Sequence, residues 1–181
     1  MQSNNRKLKL WELERDSVES FKQKEKFPII VVLDDIRSLN NVGTFFRTCD
    51  AFNIEKLILC GITGKPPHRE IQKTAIGATE SMEWEYCEDV ISAVTNLKKS
   101  GYVINSIEQT ENSLLLNEFD GDSKNRKQVL VFGNEVDGVN QEVIDISDYV
   151  IEIPQFGTKH SLNVSVCAGI IMWKFIENLE L

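Results

Sequence analysis

The chain has 181 residues, 41% hydrophobic and 27% charged, the size and balance of one soluble domain with a full core. No run approaches the ~20 apolar residues of a membrane helix, and the N-terminal MQSNNRKLKLWELERD lacks the apolar centre of a secretory signal, so a cytoplasmic protein is expected. A net charge of −8 and a pI near 4.9 exclude a protein that grips nucleic acid by overall charge, and any nucleic-acid role requires a local basic patch.

Residues 1–27 are polar and of mixed charge, with Leu8, Leu10, Trp11, Leu13, Val18 and Phe21 spaced as one helical stripe. This predicts a short helical arm ending before Pro28, followed by a domain over 28–181. Apolar β-branched runs then alternate with helical patterns. Strands are predicted at Ile29–Leu33, Leu57–Cys60, Tyr102–Ile107, Gln128–Phe132 and Val150–Ile153. Helices are predicted at Asn41–Phe52, Ile71–Ile76, Asp89–Ser100 (with Gly101 as its stop) and about Ser161–Asn178. Residues 111–127 read as a polar loop with one apolar island. Strands separated by helices give an α/β fold: a mostly parallel sheet flanked by helices on both faces.

Cys49, Cys60, Cys87 and Cys167 show no CxxC spacing and sit among apolar or small neighbours, as buried free thiols do. No metal is expected. Asp34 and Asp35 project to opposite faces of a strand end, with no histidine near them in sequence, and read as solvated loop acids. His68 and His160 read as solvated loop histidines.

Three stretches carry candidate chemistry. The first, Asp34 to Thr48, follows a buried strand and opens a helix, where Asn40 and Asn41 can cap the helix and present amides. Arg47 follows Asn41 by nearly two turns and falls broadly on the same side. The second, Val131 to Val139, runs from a strand into a glycine-bracketed turn, and glycine permits close approach of backbone to a ligand. It is neither a phosphate-binding GxxxxGK[ST] loop nor a dinucleotide GxGxxG turn, which argues against nucleotide hydrolysis. The third, Ile153 to Val166, crosses a proline-glycine turn into the last helix. There Ser161 suits an N-cap, and Asn163 is a polar amide that needs a partner or a function.

Together these stretches resemble the SpoU (TrmH-like) RNA 2′-O-ribose methyltransferases of the SPOUT superfamily. The matching pieces are N-x-G-x-x-x-R in Asn41 to Arg47, G-x-E-x-x-G in Gly133 to Gly138, and I-P-x-x-G-x-x-x-S-L-N-V-S in Ile153 to Ser165. The resemblance covers about residues 29–178. It implies an α/β domain whose C-terminal segment forms a deep trefoil knot, an arrangement nearly absent elsewhere. It also implies a homodimer that transfers a methyl group from S-adenosylmethionine to RNA, with tRNA the first substrate reading and rRNA the second.

By the same resemblance the cofactor is held at Ile107, Glu108, Phe132, Gly133, Asn134, Gly138, Ile153 and Leu162. The catalytic group is Asn41, Arg47, Glu135, Ser161 and Asn163. Because a guanidinium holds its proton, Arg47 is read as a bidentate clamp on a phosphate, with Ser161, Glu135 or the phosphate assisting removal of the hydroxyl proton. Arg6, Lys7, Lys9, Lys65, Arg69 and Lys159 are the candidate RNA contacts. The acidic pI keeps a second reading open, a non-catalytic RNA-binding or assembly module with the same fold.

Overall fold

The computed structural model describes residues 5–119, 127–177 and 179. Among the described residues seven strands form one sheet, β1 (Phe27–Asp34), β2 (Ile54–Cys60), β3 (Trp84–Cys87), β4 (Val103–Ile107), β5 (Leu114–Leu115), β6 (Gln128–Gly133) and β7 (Tyr149–Glu152). Their order is β3-β2-β1-β6-β4-β7-β5, and every described pairing is parallel. The apolar runs are continuous because both faces of the sheet are covered. Ile29, Val31 and Leu33 face one core, where Phe45, Phe46, Ile71, Ile171, Met172 and Phe175 pack. Ile30 and Val32 face the other, with Val90, Val94 and Val143.

The helices are α1 (Val18–Gln23), α2 (Leu39–Ala51), α3 (Arg69–Ala75), α4 (Ala78–Ser81), α5 (Val90–Lys99), α6 (Gln141–Ile146) and α7 (Val164–Glu177). Their starts follow local capping chemistry. Ser38, rather than Asn40 or Asn41, caps α2, its Oγ accepting from Asn41 N at 3.3 Å. Asp89 caps α5 by accepting from the amides of Ile91 and Ser92, and Gly101 ends that helix with φ +86°. α2 and α3 meet at backbone distance, since a β-carbon on Gly43 would collide with Thr74 and the carbonyl of Ile71.

Four expectations change. The N-terminal stripe is not one helix but a 3-10 turn at Leu10–Glu12 and the separate α1. Glu14 has φ +38° between them, Ser17 restarts the chain as a cap, and of the described side chains of the stripe only Phe21 is buried. Without a core to cover it, a helix of that length does not hold. The second change is in the last helix, which begins at Val164 with Asn163 as its cap, Oδ1 accepting from Ser165 N at 3.0 Å. Ser161 is therefore free of capping duty. Thirdly, His68 is no idle loop residue, because its Nδ1 accepts from Glu70 N at 3.2 Å and caps α3. Fourthly, α4, β3 and β5 were not expected. β3 is a four-residue, half-exposed outer strand with little apolar signal, and β5 occupies the apolar island at Leu114–Leu115. Residues 120–126 of that polar loop lie outside the described residues.

The topology makes the site. β6 inserts between β1 and β4, so the chain leaves β1 toward β2 and β3 on one side and returns to β4 and β7 on the other. In parallel sheets the carboxyl ends beside such a switch leave a crevice. Here those ends are Asp34, Gly133, Ile107 and Glu152.

Candidate active site

The crevice is closed by the turn after β6. Gly133 must be glycine, because a β-carbon there would collide with the backbone of Gly138 and Val139. Gly138 has φ +71°, and a β-carbon on it would meet the Glu108 carboxylate. Asn134 folds the turn on itself, its Oδ1 accepting from the amides of Val136 (3.0 Å) and Asp137 (2.9 Å). Two carboxylates then fix the far end of the turn. Glu108 Oε2 accepts from Val139 N at 3.1 Å, and Asp34 Oδ2 from Asn140 N at 2.8 Å.

Asp34 is thus no solvated loop acid: it is 4% exposed, and burial outweighs the Asn140 hydrogen bond to raise its pKa above the ordinary aspartate value. Asp35 also has a structural task, accepting from Ile62 N at 2.8 Å.

At the mouth, side chains from three distant parts of the chain meet. Asn41 Nδ2 donates to Glu135 Oε1 at 2.7 Å, and Asn163 Nδ2 donates to Asn41 Oδ1 at 3.3 Å. This chain, with Asn163 locked by its cap contacts to Ser165, leaves Glu135 Oε2 and the Ser161 hydroxyl free of protein partners among the described residues. Both groups face a cleft of about 470 Å³.

All eight residues expected around the cofactor line this cleft, as do Glu135, Ser161 and Asn163. Asn41 joins through its hydrogen bonds. Arg47 does not: it is exposed on α2 and has no ion pair among the described residues. The cleft also takes in Val136, Ile151, Gln155, His160 and Cys167, none of which the sequence assigned to the cofactor. Cys167 was legible in principle, since it follows Asn163 by one helical turn. Burial pushes its thiol up to about 12, so it is an apolar wall rather than a nucleophile.

The candidate RNA contacts divide. Arg6 is tied to Glu12 inside the arm at 2.8 Å, and Lys9 lies over the Trp11 ring at 5.0 Å. Lys65 covers the Tyr86 ring at 3.6 Å. Lys7, Arg69 and Lys159 are exposed without an ion pair among the described residues. No group of three His, Cys, Asp or Glu side chains converges among the described residues, and no described helix is long and apolar enough to cross a membrane.

Residues 28–173 match the model of the SpoU rRNA methylase family. The chain belongs to that family. It is 33% identical over 156 residues to a tRNA (guanosine(18)-2′-O)-methyltransferase of Aquifex aeolicus, covering 84% of this chain and 70% of that protein. It is 30% identical over 145 residues to the 23S rRNA (guanosine-2′-O-)-methyltransferase RlmB of Neisseria meningitidis, covering 80% of this chain and 56% of that protein. The chain thus spans between about half and seven-tenths of these relatives. The crystal structure of the A. aeolicus TrmH/SpoU tRNA modifying enzyme superposes with a TM-score of 0.78 at 28% identity, over 89% of this chain and 80% of that one. An AdoMet-bound rRNA methyltransferase from Sinorhizobium meliloti gives 0.79 at 24% identity, over 89% and 61%. The parallel α/β sheet is therefore that of SpoU methylases.

Proposed function

We propose that this protein methylates RNA at a ribose 2′-hydroxyl with S-adenosylmethionine as donor, and that its substrate is a tRNA. The observation that carries the reading is the meeting of Asn41, Glu135 and Asn163 at the mouth of a glycine-built cleft, in a SpoU family chain. The tRNA preference rests on the A. aeolicus relative, and rRNA is the second choice through RlmB.

The cleft fits the cofactor. Its volume lies in the range of small-molecule sites, Ile107, Phe132, Ile153 and Leu162 give it apolar walls, and Gly133 and Gly138 keep side chains out of the turn. When bound, S-adenosylmethionine supplies an electrophilic methyl group. The protein's part is to place the ribose oxygen in line and to help its proton leave. Glu135, oriented by Asn41, and Ser161 are the candidate proton acceptors at the mouth. Arg47, a planar fork with no ion pair among the described residues, is assigned to a substrate phosphate, and Lys65, Arg69 and Lys159 to other phosphates of the RNA.

Val166, Ile170 and Trp173 recur on one side of α7 and are 53%, 40% and 52% exposed, and Leu162, just before the helix, is 39% exposed. Such a stripe is suited to a second copy of the chain, which supports a homodimer, and a threaded C-terminal segment is supported by membership of the SpoU family alone. Calorimetry with S-adenosylmethionine and S-adenosylhomocysteine is the first test; absence of binding at high micromolar concentration rejects the reading. Tritium transfer to bulk tRNA, with product linkages resistant to alkali, is the second. Binding of RNA without transfer favours the non-catalytic module, which the acidic pI keeps as the alternative.

A further inference from the structure

Phe156 is 97% exposed, more than any other large hydrophobic residue described. It sits in the loop between β7 and α7, next to Gln155, and Gln155, His160 and Ser161 all line the cleft. The loop stands clear of the body at this point, since a β-carbon on the neighbouring Gly157 would meet nothing within 4 Å. On the other lip Val136, 70% exposed, also lines the cleft. Each side of the cleft therefore offers one exposed apolar side chain near its rim, an aromatic ring on the loop before α7 and, on the turn after β6, a valine between Glu135 and Asp137.

In a chain of net charge −8, residues 153–163 contain no Asp or Glu, and they carry Lys159 and His160. An exposed aromatic ring beside a cation on an acid-free loop is the combination that holds unpaired bases, the ring stacking and the cation meeting phosphate. A ribose held at the cleft mouth presents its own base, or its neighbour's, to this rim, because the base is attached at the carbon next to the 2′ position.

We propose that Phe156 is an RNA-binding residue, a stacking platform for an unpaired base at or beside the methylated nucleotide, with Lys159 on the adjoining phosphate. This rests on the methyltransferase reading for its substrate but reaches a residue that the chemistry does not use. The alternative occupant of an exposed ring is a second copy of the chain, and the experiment separates the two.

Phe156→Ala, Phe156→Leu and Phe156→Trp would be compared with wild type in filter binding of bulk tRNA, in methyl transfer to it, in S-adenosylhomocysteine calorimetry and in sedimentation. The Ala and Leu variants are expected to raise both the Kd and the KM for tRNA about tenfold, the scale of one stacked base. The Trp variant should stay within about twofold of wild type. S-adenosylhomocysteine affinity, melting temperature and sedimentation should not move. Unchanged tRNA affinity in Phe156→Ala overturns the platform. So does Phe156→Leu behaving as wild type, since greasiness rather than stacking would then suffice, and so does dissociation of the protein, which would make the ring an interface between copies. If wild type binds no S-adenosylhomocysteine yet the tRNA affinities still follow the aromatic series, methyl transfer falls and the platform stands.

Discussion

The Asp34 carboxylate, 4% exposed at the end of β1, accepts the backbone N–H of Asn140 at 2.8 Å across the sheet crevice. It holds the β6 turn from one side as Glu108 holds it from the other, through Val139 N at 3.1 Å. A buried carboxylate with one good amide partner is still short of the hydration it had in water. That is why its pKa moves up despite the hydrogen bond, with the neighbouring Asp35 adding to the rise.

The sign of the consequence follows. Between the ordinary carboxylate pKa of the unfolded chain and the raised pKa of the folded one, the folded state binds the extra proton, so this residue's contribution to stability falls as pH rises through that window. Asp34→Asn keeps an oxygen for Asn140 N–H and removes the charge. It should melt a few degrees above wild type at pH 8, with the difference shrinking as the pH is lowered through the window. Thermal melts of both proteins from pH 4 to pH 8 check this, and a difference independent of pH contradicts it.

The turn itself tolerates no side chain at its first position. On Gly133 the obstruction is backbone, of Gly138 and Val139, which cannot swing aside; on Gly138 it is the Glu108 carboxylate, which can. Gly133→Ala is therefore expected to lower the melting temperature by several degrees and to weaken S-adenosylhomocysteine binding at least tenfold, on the order of 2–3 kcal/mol for overpacking and loop displacement. Gly138→Ala should cost less stability, about 1–2 kcal/mol for the strained φ and the displaced Glu108. Equal effects of the two substitutions would mean that the turn is softer than its packing implies.

Much of this architecture was readable in the chain. The buried strands β1 and β6 announce themselves as unbroken apolar runs, Ile29–Leu33 and Val129–Phe132, and α5 by its period, its Asp89 cap and Gly101. The meeting of Asn41, Glu135 and Asn163 was not visible in periodicity, because their hydrogen bonds span 94 and 122 residues; only the ordered motifs implied it. Asp34 was misread for a related reason. Strand alternation gives the face on which a side chain lies but not what covers that face, and the cover comes from the turn 106 residues away. The N-terminal stripe failed in the opposite way, with a helical period but no core to bury it.

Arg47 tests the division between stability and chemistry. It is exposed on α2 and has no ion pair among the described residues, so Arg47→Lys should change stability by less than about 0.5 kcal/mol. S-adenosylhomocysteine binding should also be unchanged, because Arg47 is absent from the cleft wall. Methyl transfer should nevertheless fall roughly 10–100-fold, since a point charge cannot replace a fork on a phosphate. Single-turnover transfer measured beside a melt would separate these outcomes. Near wild-type turnover in Arg47→Lys removes the phosphate-clamp role.

Asn163 performs two tasks that substitution can pull apart. Its Oδ1 caps α7 by accepting from Ser165 N at 3.0 Å, and its Nδ2 donates to Asn41 Oδ1 at 3.3 Å. Asn163→Ala loses both and should destabilise by about 1 kcal/mol, a shift of a few degrees. Asn163→Asp keeps the cap and gains favourable charge at a helix N-terminus, so it should melt at or above the wild-type temperature. In place of a donor, however, it sets a carboxylate oxygen against Asn41 Oδ1. That repulsion should break the Asn41–Glu135 alignment and lower kcat at least tenfold, on the order of the loss for a mispositioned acid–base group. Stability and turnover would then move in opposite directions in one variant. If Asn163→Asp is as active as wild type, the hydrogen-bond chain through Asn41 does not position Glu135, and the proton must leave by way of Ser161 or the substrate phosphate.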